Sequence, residues 1–278
     1  MADRTDADLT DDDRTADGGL AEHVAENRRH WDSDAPRWVA PGERLWAQAE
    51  PTWGEWGVPD DQVTLLPTDM TGLAAIELGC GTGYVSAWMV RRGARVVGID
   101  NSEQQLRTAR RLAGEHGVDV TWIHGDAEHV PYPDRSFDVA VSEYGAAIWC
   151  DPDAWIPEAH RLLRPGGTLA FLCNHPLAMI CWPPDGSSPI RDTLQRDYFG
   201  LRRLDWRDAV EDPGGIEFNR PISDWFGLFD RTGFDVVRYD ELQAPEGALP
   251  LSWGGGGADQ ARWAHRWPSE QVWTLRKR

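Results

Sequence analysis

Two acidic side chains enclose a glycine-rich segment within residues 74–100, AAIELGCGTGYVSAWMVRRGARVVGID. Glu77 ends a short apolar run just before the glycines, and Asp100 ends a second apolar run beyond an amphipathic stretch. This pattern predicts a strand, a tight turn, a helix and a second strand, which together form the opening βαβ unit of a doubly wound sheet. In such sheets ligands bind outside the carboxyl ends of the strands, where both acids fall. The segment is therefore the expected ligand site.

The spacing of the glycines indicates which ligand this turn could hold. A dinucleotide-binding turn has the pattern G-x-G-x-x-G, but the third glycine position is Tyr84 or Ser86 here, depending on the starting glycine. Glu77 would place a carboxylate against a doubly negative pyrophosphate, whereas it suits a ligand that carries an ammonium group. Asp100 can accept hydrogen bonds from two ribose hydroxyls. The expected ligand is a cationic nucleoside, and a nicotinamide dinucleotide is the disfavoured alternative.

Four motifs in a fixed order extend this pattern over about residues 70 to 175: ELGCGTGYVS, GIDNS, GDAEHVPYPDRSFD and RLLRPGG. Together they resemble the class I S-adenosylmethionine-dependent methyltransferases, particularly their bacterial small-molecule branch. The resemblance implies an α/β fold with a Rossmann-like, seven-stranded doubly wound sheet of strand order 3-2-1-4-5-7-6, in which strand 7 is antiparallel. It also implies S-adenosyl-L-methionine as the cofactor.

The resemblance further implies roles for individual residues at the strand ends. The glycine-rich loop would cradle the methionine portion of the cofactor, with Glu77 near its amino group. Asp100 would hold the ribose, and Asp126 with Ala127 would lie beside the adenine. The full set of expected cofactor-binding residues is Glu77, Gly79, Cys80, Gly81, Gly83, Asp100, Asn101, Asp126, Ala127, Glu128 and Glu143.

Periodicity and breaker residues predict the elements that position these residues. Helices are expected at 20–48, at 103–116 between an N-cap at Ser102 and a stop at Gly117, at 151–163 and at 222–232. Further strands are expected at 118–124, 137–142, 168–172 and 234–240, with an antiparallel edge strand at 271–275.

The remaining segments predict the domain organisation. Residues 1–18 contain seven aspartates and almost no apolar side chains, so we expect a disordered acidic tail. Residues 19–278 would form one methyltransferase domain, in which the tryptophan-rich residues 19–68 are an N-terminal cap. Residues 176–220 show little periodicity and several prolines, which is typical of a functional lid. The stretch 245–258, rich in glycine and proline, predicts a flexible loop.

Catalytic residues are harder to assign than cofactor residues. Methyl transfer from a sulfonium is an in-line displacement, so the protein mainly holds the nucleophile in line and excludes water. A general base is needed only when the nucleophile must lose a proton. Side chains that follow strand ends give the catalytic candidates His175, Tyr144 and Glu143, and the substrate candidates Trp31, Tyr144, Trp149 and His175.

Composition limits the classes of partner. The chain carries 28 Lys plus Arg against 46 Asp plus Glu, a net charge of −18, which disfavours nucleic acids and anionic membranes. Its four cysteines lack metal-ligand spacing and are interpreted as reduced thiols, so no metal is expected. The sequence shows neither a signal-peptide pattern at its start nor a run of 18 apolar residues, so a cytoplasmic protein is expected.

The predicted function is S-adenosylmethionine-dependent methyl transfer to a small, apolar or aromatic metabolite. The alternatives are a nicotinamide-dependent oxidoreductase and a non-catalytic S-adenosylmethionine-binding protein. The sequence does not indicate the methylated atom or the oligomeric state.

Overall fold

A computed structural model describes residues 19–187, 190–209, 215–249 and 257–278. The predicted acidic tail lies outside these residues, as do residues 250–256 of the predicted loop at 245–258. The helices are α1 Glu22–Ala47, α2 Asp60–Val63, α3 Tyr84–Arg91, α4 Glu103–His116, α5 Gly145–Trp149, α6 Pro152–Leu162, α7 Pro176–Cys181, α8 Ile222–Thr232 and α9 Gly257–Ala264. The strands are β1 Thr52–Trp53, β2 Val58–Pro59, β3 Ala74–Leu78, β4 Arg95–Asp100, β5 Thr121–His124, β6 Phe137–Glu143, β7 Leu163–Asn174, β8 Arg203–Asp205, β9 Ile216–Phe218, β10 Phe234–Leu242 and β11 Glu270–Lys277.

A seven-stranded sheet forms the centre of the molecule, in the order β10-β11-β7-β6-β3-β4-β5. The five strands from β5 to β7 pair in parallel, whereas β11 pairs antiparallel with both β7 and β10. This confirms the expected order 3-2-1-4-5-7-6 with strand 7 antiparallel. The expectation of an antiparallel edge at 271–275 was wrong, because β11 lies inside the sheet and β10 forms that edge.

Alternation along the strands buries both faces of the sheet. In β3, Ala75 belongs to one apolar core together with Trp88 of α3, whereas Ile76 and Leu78 belong to a second core together with Trp155 of α6. A strand with side chains buried on both faces requires helices on both sides, as in a doubly wound sheet. The predicted fold class is confirmed.

Helix ends follow the sequence signals at α4 and α6. The Ser102 hydroxyl accepts a hydrogen bond from Gln105 N, and Asp151 caps α6 through Asp153 N. Gly117 has φ 64° and ends α4, and Val118 N still donates to Ala113 O over 2.9 Å. The backbone therefore joins the sheet only at Thr121, so β5 is shorter than the expected strand at 118–124.

The N-terminal helix α1 and the segment that contains β8 and β9 meet above the carboxyl ends of the parallel strands. Helix α1 continues through Pro36 and Pro41. The Asn27 side chain donates to Ile216 O (2.9 Å) and accepts from Ile216 N (2.7 Å), so α1 binds the antiparallel pair β8–β9. Within the described residues, none of the helices combines the length and apolar character that spanning a membrane requires.

Candidate functional site

A cavity of about 300 Å³ opens at the carboxyl ends of β3, β4 and β6, under α1. Most of the residues that the sequence singled out line it. The expected cofactor and substrate residues in its wall are Glu77, Gly79, Cys80, Gly81, Asp100, Asn101, Asp126, Ala127, Glu143, Tyr144, Trp31 and Trp149. We call this space the first cavity.

The glycine loop forms the floor of the first cavity. Gly79 N and Cys80 N both donate to Ile99 O at 2.9 Å, which fixes the loop against β4. Gly79 has φ 73°, and a Cβ there would lie 2.5 Å from Ala146 N, so a side chain cannot fit. Gly83 does not line the cavity: its Cβ position would overlap Trp122, and it serves close packing behind the loop.

Asp100 is held rigidly at the end of β4. Its Oδ2 accepts from Gly81 N over 2.7 Å and its Oδ1 accepts from Ser102 N over 2.8 Å. Each oxygen retains a further lone pair for a ligand hydroxyl. Burial raises the pKa of Asp100 to about 6, although both backbone hydrogen bonds favour the ionised form. The carboxylate can therefore accept hydrogen bonds from two ribose hydroxyls at neutral pH.

Two further carboxyl groups face the first cavity from β3 and β6. Glu77 is only 2% exposed, and its Oε2 accepts from Ser86 N over 2.8 Å. Burial, reinforced by the charges of Glu143 and Asp100, holds the pKa of Glu77 well above its usual value. Burial also raises the pKa of Glu143 to about 7, and Glu143 accepts from Tyr84 Oη over 2.6 Å. A cationic ligand would relieve this accumulation of acids.

Helix α1 closes the cavity through polar contacts that the sequence did not reveal. Arg28 Nε donates to Asn101 Oδ1 over 2.9 Å, and Asn101 Nδ2 donates to Val24 O over 2.8 Å. Asp32 accepts from Ser102 Oγ over 2.6 Å. These bonds join residues 70 or more positions apart, so no local pattern could have identified them.

The acidic loop after β5 divides between two roles. Asp126 and Ala127 line the first cavity, whereas Glu128 turns away and binds His23 Nε2 at 2.7 Å and Asp151 N at 2.6 Å. Ligand atoms of Asp126, Glu128 and His129 lie within 4.8 Å of one another. Because Glu128 Oε1 already takes both of these partners, we assign no metal to the group.

A second cavity of about 220 Å³ adjoins the first, and Glu55, Tyr144 and Trp149 line both. Its walls come from α7, β9, α9 and the start of β11. They are predominantly aromatic and apolar, with Trp56, Trp182, Trp206, Ala178, Met179 and Ile190. Tyr144 is therefore part of the wall between the two cavities.

Tyr144 has an unusual backbone conformation, and its hydroxyl binds the buried acid Glu270. Its φ of 57° is unusual for a residue with a side chain, and its hydroxyl donates to Glu270 Oε1. Burial raises the pKa of Glu270 to about 8, and burial also raises the pKa of Tyr144 well above its usual value. Sequence reasoning missed Glu270, because only the pairing of Glu270 with Asn174 across β11 and β7 brings it to the strand ends.

His175 is not brought to either cavity among the described residues. Its Nδ1 accepts from Leu177 N as the N-cap of α7, and its Nε2 lies 3.1 Å from Glu241 Oε1. Burial lowers the pKa of His175, which the nearby charge of Glu241 opposes. Of the catalytic candidates, the structure brings together Tyr144 and Glu143 and leaves His175 outside.

Comparison with known proteins gives consistent matches. A family model described as a methyltransferase domain matches residues 76–171. Ubiquinone biosynthesis O-methyltransferase of Ruegeria pomeroyi is 36% identical over 173 residues, which cover 58% of this chain and 69% of that protein. The 2-methyl-6-phytyl-1,4-hydroquinone methyltransferase 1 of Oryza sativa subsp. japonica is 34% identical over 123 residues, covering 43% and 37%. A solved S-adenosylmethionine-dependent methyltransferase from Mesorhizobium loti superposes with a TM-score of 0.62 at 24% identity, covering 78% and 96%.

The residues of the first cavity fit the cofactor of these relatives. A Cβ at Gly81 would meet nothing within 4 Å, so the loop leaves open space in the cavity wall that would suit the methionine portion. Asp100 offers two acceptor oxygens, and the buried acid Glu77 suits an ammonium group. The chain therefore belongs to the class I S-adenosylmethionine-dependent methyltransferases, and S-adenosyl-L-methionine is its cofactor.

Proposed function

We propose that this methyltransferase transfers the methyl group to a small, largely apolar or aromatic molecule bound in the second cavity. The observation that carries the proposal is the shared wall: Tyr144, Trp149 and Glu55 line both cavities, so cofactor and acceptor can meet there. The aromatic lining of the second cavity supports an acceptor with a flat or apolar body. The named quinone and hydroquinone methyltransferases among the relatives are consistent with an acceptor of this kind.

The cofactor supplies an electrophilic methyl group on a sulfonium. The protein orients the two reactants and excludes water from the site. Trp31 and Trp149 contact each other edge to face, with ring centroids 5.1 Å apart, beside the first cavity. Their rings exclude water from the path between the cavities. This favours methyl transfer from the charged sulfonium to a weak nucleophile.

A proton released by the acceptor has a defined destination. The Tyr144 hydroxyl lies at the shared wall and donates to the Glu270 carboxylate. In this proposal the ionised form of Glu270 takes the proton, directly or through the Tyr144 hydroxyl, because burial that raises the pKa of Glu270 to about 8 makes its carboxylate a stronger base than an ordinary glutamate.

The proposal is tested with methyl-labelled S-adenosylmethionine and fractionated metabolite extracts. We expect label to appear in one or a few small molecules. Ala178→Leu would add bulk to the wall of the second cavity, where Ala178 is 2% exposed. This variant should lose methyl transfer by at least about tenfold and retain its affinity for S-adenosylhomocysteine, because Ala178 does not line the first cavity.

Two results would contradict the proposal. Unchanged turnover in Ala178→Leu would place the acceptor elsewhere. Tight binding of S-adenosylhomocysteine without label transfer to any extract component would favour a cofactor-binding protein that does not catalyse.

A further inference from the structure

The second cavity contains more hydrogen-bond acceptors than the chain satisfies. Glu270 and Gln260 line it and are 1% and 5% exposed. Among the described residues, Glu270 Oε2 and Gln260 Oε1 are buried without a hydrogen-bond partner. Buried acceptors without partners cost free energy, so a bound molecule that donates hydrogen bonds to them would recover that cost.

Glu217 is a further buried carboxyl group in the same wall. It is 5% exposed and accepts from two neutral donors, Asn174 Nδ2 at 2.8 Å and Trp206 Nε1 at 2.9 Å. Burial raises the pKa of Glu217, and the charge of Arg196 only partly opposes this. The Arg196 guanidinium donates to Met179 O and lies over the Trp206 ring at 5.4 Å. The carboxyl group of Glu217 is therefore solvated by dipoles.

The formal charge of the cavity wall is negative. Glu55, Glu217 and Glu270 line it, and within the described residues neither lysine nor arginine does, so His30 is the one basic side chain there. Aromatic rings surround these acids, and the faces of tryptophan rings attract cations. A carboxylate-bearing acceptor would find neither lysine nor arginine among the described lining residues to pair with, whereas a cation would meet both carboxyl groups and aromatic faces.

We infer that the second cavity binds its acceptor through a protonated amine, which pairs with Glu270 and Glu217 while the aromatic walls hold an apolar body. This inference rests on the proposed function and narrows its substrate to amines. Pairing satisfies Glu270 Oε2 with a charge-assisted hydrogen bond, and an ammonium group offers enough donors to reach Gln260 Oε1 as well.

Proton exchange gives the inference a second signature. Burial raises the pKa of Glu270 to about 8 and that of Glu217 to about 7. Both groups hold a substantial fraction of protons at pH 7 when no cation is present. A bound ammonium favours the ionised carboxylates, so amine binding at pH 7 should release protons to the buffer.

The experiment is calorimetry at pH 7 on the full chain saturated with S-adenosylhomocysteine. The probes are three compounds with one aromatic body: phenethylamine, phenethyl alcohol and 3-phenylpropionate, with tryptamine and tryptophol as a larger pair. We expect each amine to bind at least about tenfold more tightly than its alcohol, and the acid to bind most weakly. Titrations in buffers of different ionisation enthalpy should report proton release with the amines alone.

Matched variants locate the effect. Glu270→Gln and Glu217→Gln should each reduce the preference for amine over alcohol by about tenfold or more. Glu241→Gln is the control, because Glu241 is half exposed and outside the cavity lining, and it should leave the preference intact. Should Glu270→Gln fail to fold, the comparison with the parent protein is made with Glu217→Gln. Retained binding of S-adenosylhomocysteine shows that a variant is folded.

Alcohols that bind as tightly as their amines would overturn the inference and would indicate protonated carboxyl groups that bind a neutral hydroxyl. Amine preference that survives both cavity variants would overturn it too, as would binding by none of the amines. These results leave the proposed function intact as long as S-adenosylhomocysteine binds and label is transferred. Loss of either of those would count against the proposed function itself.

Discussion

We expect the Asp100 carboxylate to make cofactor affinity depend on pH, and one substitution should weaken that dependence. Burial raises the pKa of Asp100 to about 6; the charge of His124 lowers the pKa and that of Asp32 raises it. Ribose hydroxyls that donate to this carboxylate would favour its ionised form, so a bound ligand should draw the pKa of Asp100 downward. Affinity for S-adenosylhomocysteine should therefore be full well above pH 6 and should fall as the pH drops through 6.

The magnitude follows from the fraction ionised. At pH 5 about one tenth of a carboxyl with a pKa near 6 is ionised, so the dissociation constant should rise about tenfold between pH 8 and pH 5. Asp100→Ala also removes the bond that Gly81 N donates to the carboxylate. The two hydrogen bonds that the ribose hydroxyls would donate to this charged group are together worth about 3 kcal/mol or more. Affinity at pH 8 should therefore fall about 100-fold.

Calorimetry with S-adenosylhomocysteine from pH 5 to pH 8 measures both effects. Asp119→Ala, at an exposed position before β5, is the matched control and should follow the parent protein. The pKa of Glu143 is also raised, to about 7, and that of Glu77 lies well above its usual value, so part of the pH dependence should persist in Asp100→Ala. An Asp100→Ala protein with parental affinity and an unchanged pH profile would refute the assignment of Asp100 to the ribose.

Three further substitutions test the glycine loop and the roles of His175 and Tyr144 in catalysis. Gly79→Ala should destabilise the fold by about 2 kcal/mol or more and abolish cofactor binding, because its Cβ would lie 2.5 Å from Ala146 N at φ 73°. Thermal melting checks this against Gly114→Ala in the last turn of α4, where a Cβ would meet nothing within 4 Å and should stabilise the helix slightly. His175→Gln should leave turnover within about twofold of the parent, whereas Tyr144→Phe should lower it about tenfold or more. A hundredfold loss in His175→Gln under saturating cofactor would return His175 to the role of base.

Local chemistry explains why the sheet could be predicted from the sequence. The run from Ala74 to Asp100 combines two buried strands with glycines at positive φ, and each signal acts within a few residues of its cause. The N-cap at Ser102 and the stop at Gly117 are equally local, and both were confirmed in α4. The first cavity could be predicted because parallel strands bring their carboxyl ends to one edge.

The second cavity could not be predicted in the same way, because it is built from distant partners. Glu270 reaches the strand ends only through its antiparallel pairing with Asn174, and Glu217 reaches the Asn174 side chain from β9. The prediction for His175 used the rule that strand ends face the ligand. That rule places the backbone correctly, but α7 begins at the next residue, and the imidazole bonds to Leu177 N instead.

The two cavities are linked by a close backbone contact between the turn after β3 and the turn after β6. A Cβ at Gly145 would lie 2.1 Å from Gly79 O, and a Cβ at Gly79 would lie within 2.6 Å of Gly145 Cα, so the turns after β3 and β6 touch without side chains between them. Tyr144 precedes this contact and is held at φ 57°, with its amide donating to Leu172 O over 2.9 Å. Strain of this kind persists only where the surroundings determine the backbone. The glycine loop that floors the first cavity thus also fixes the tyrosine at the shared wall, which suits an in-line reaction that depends on position.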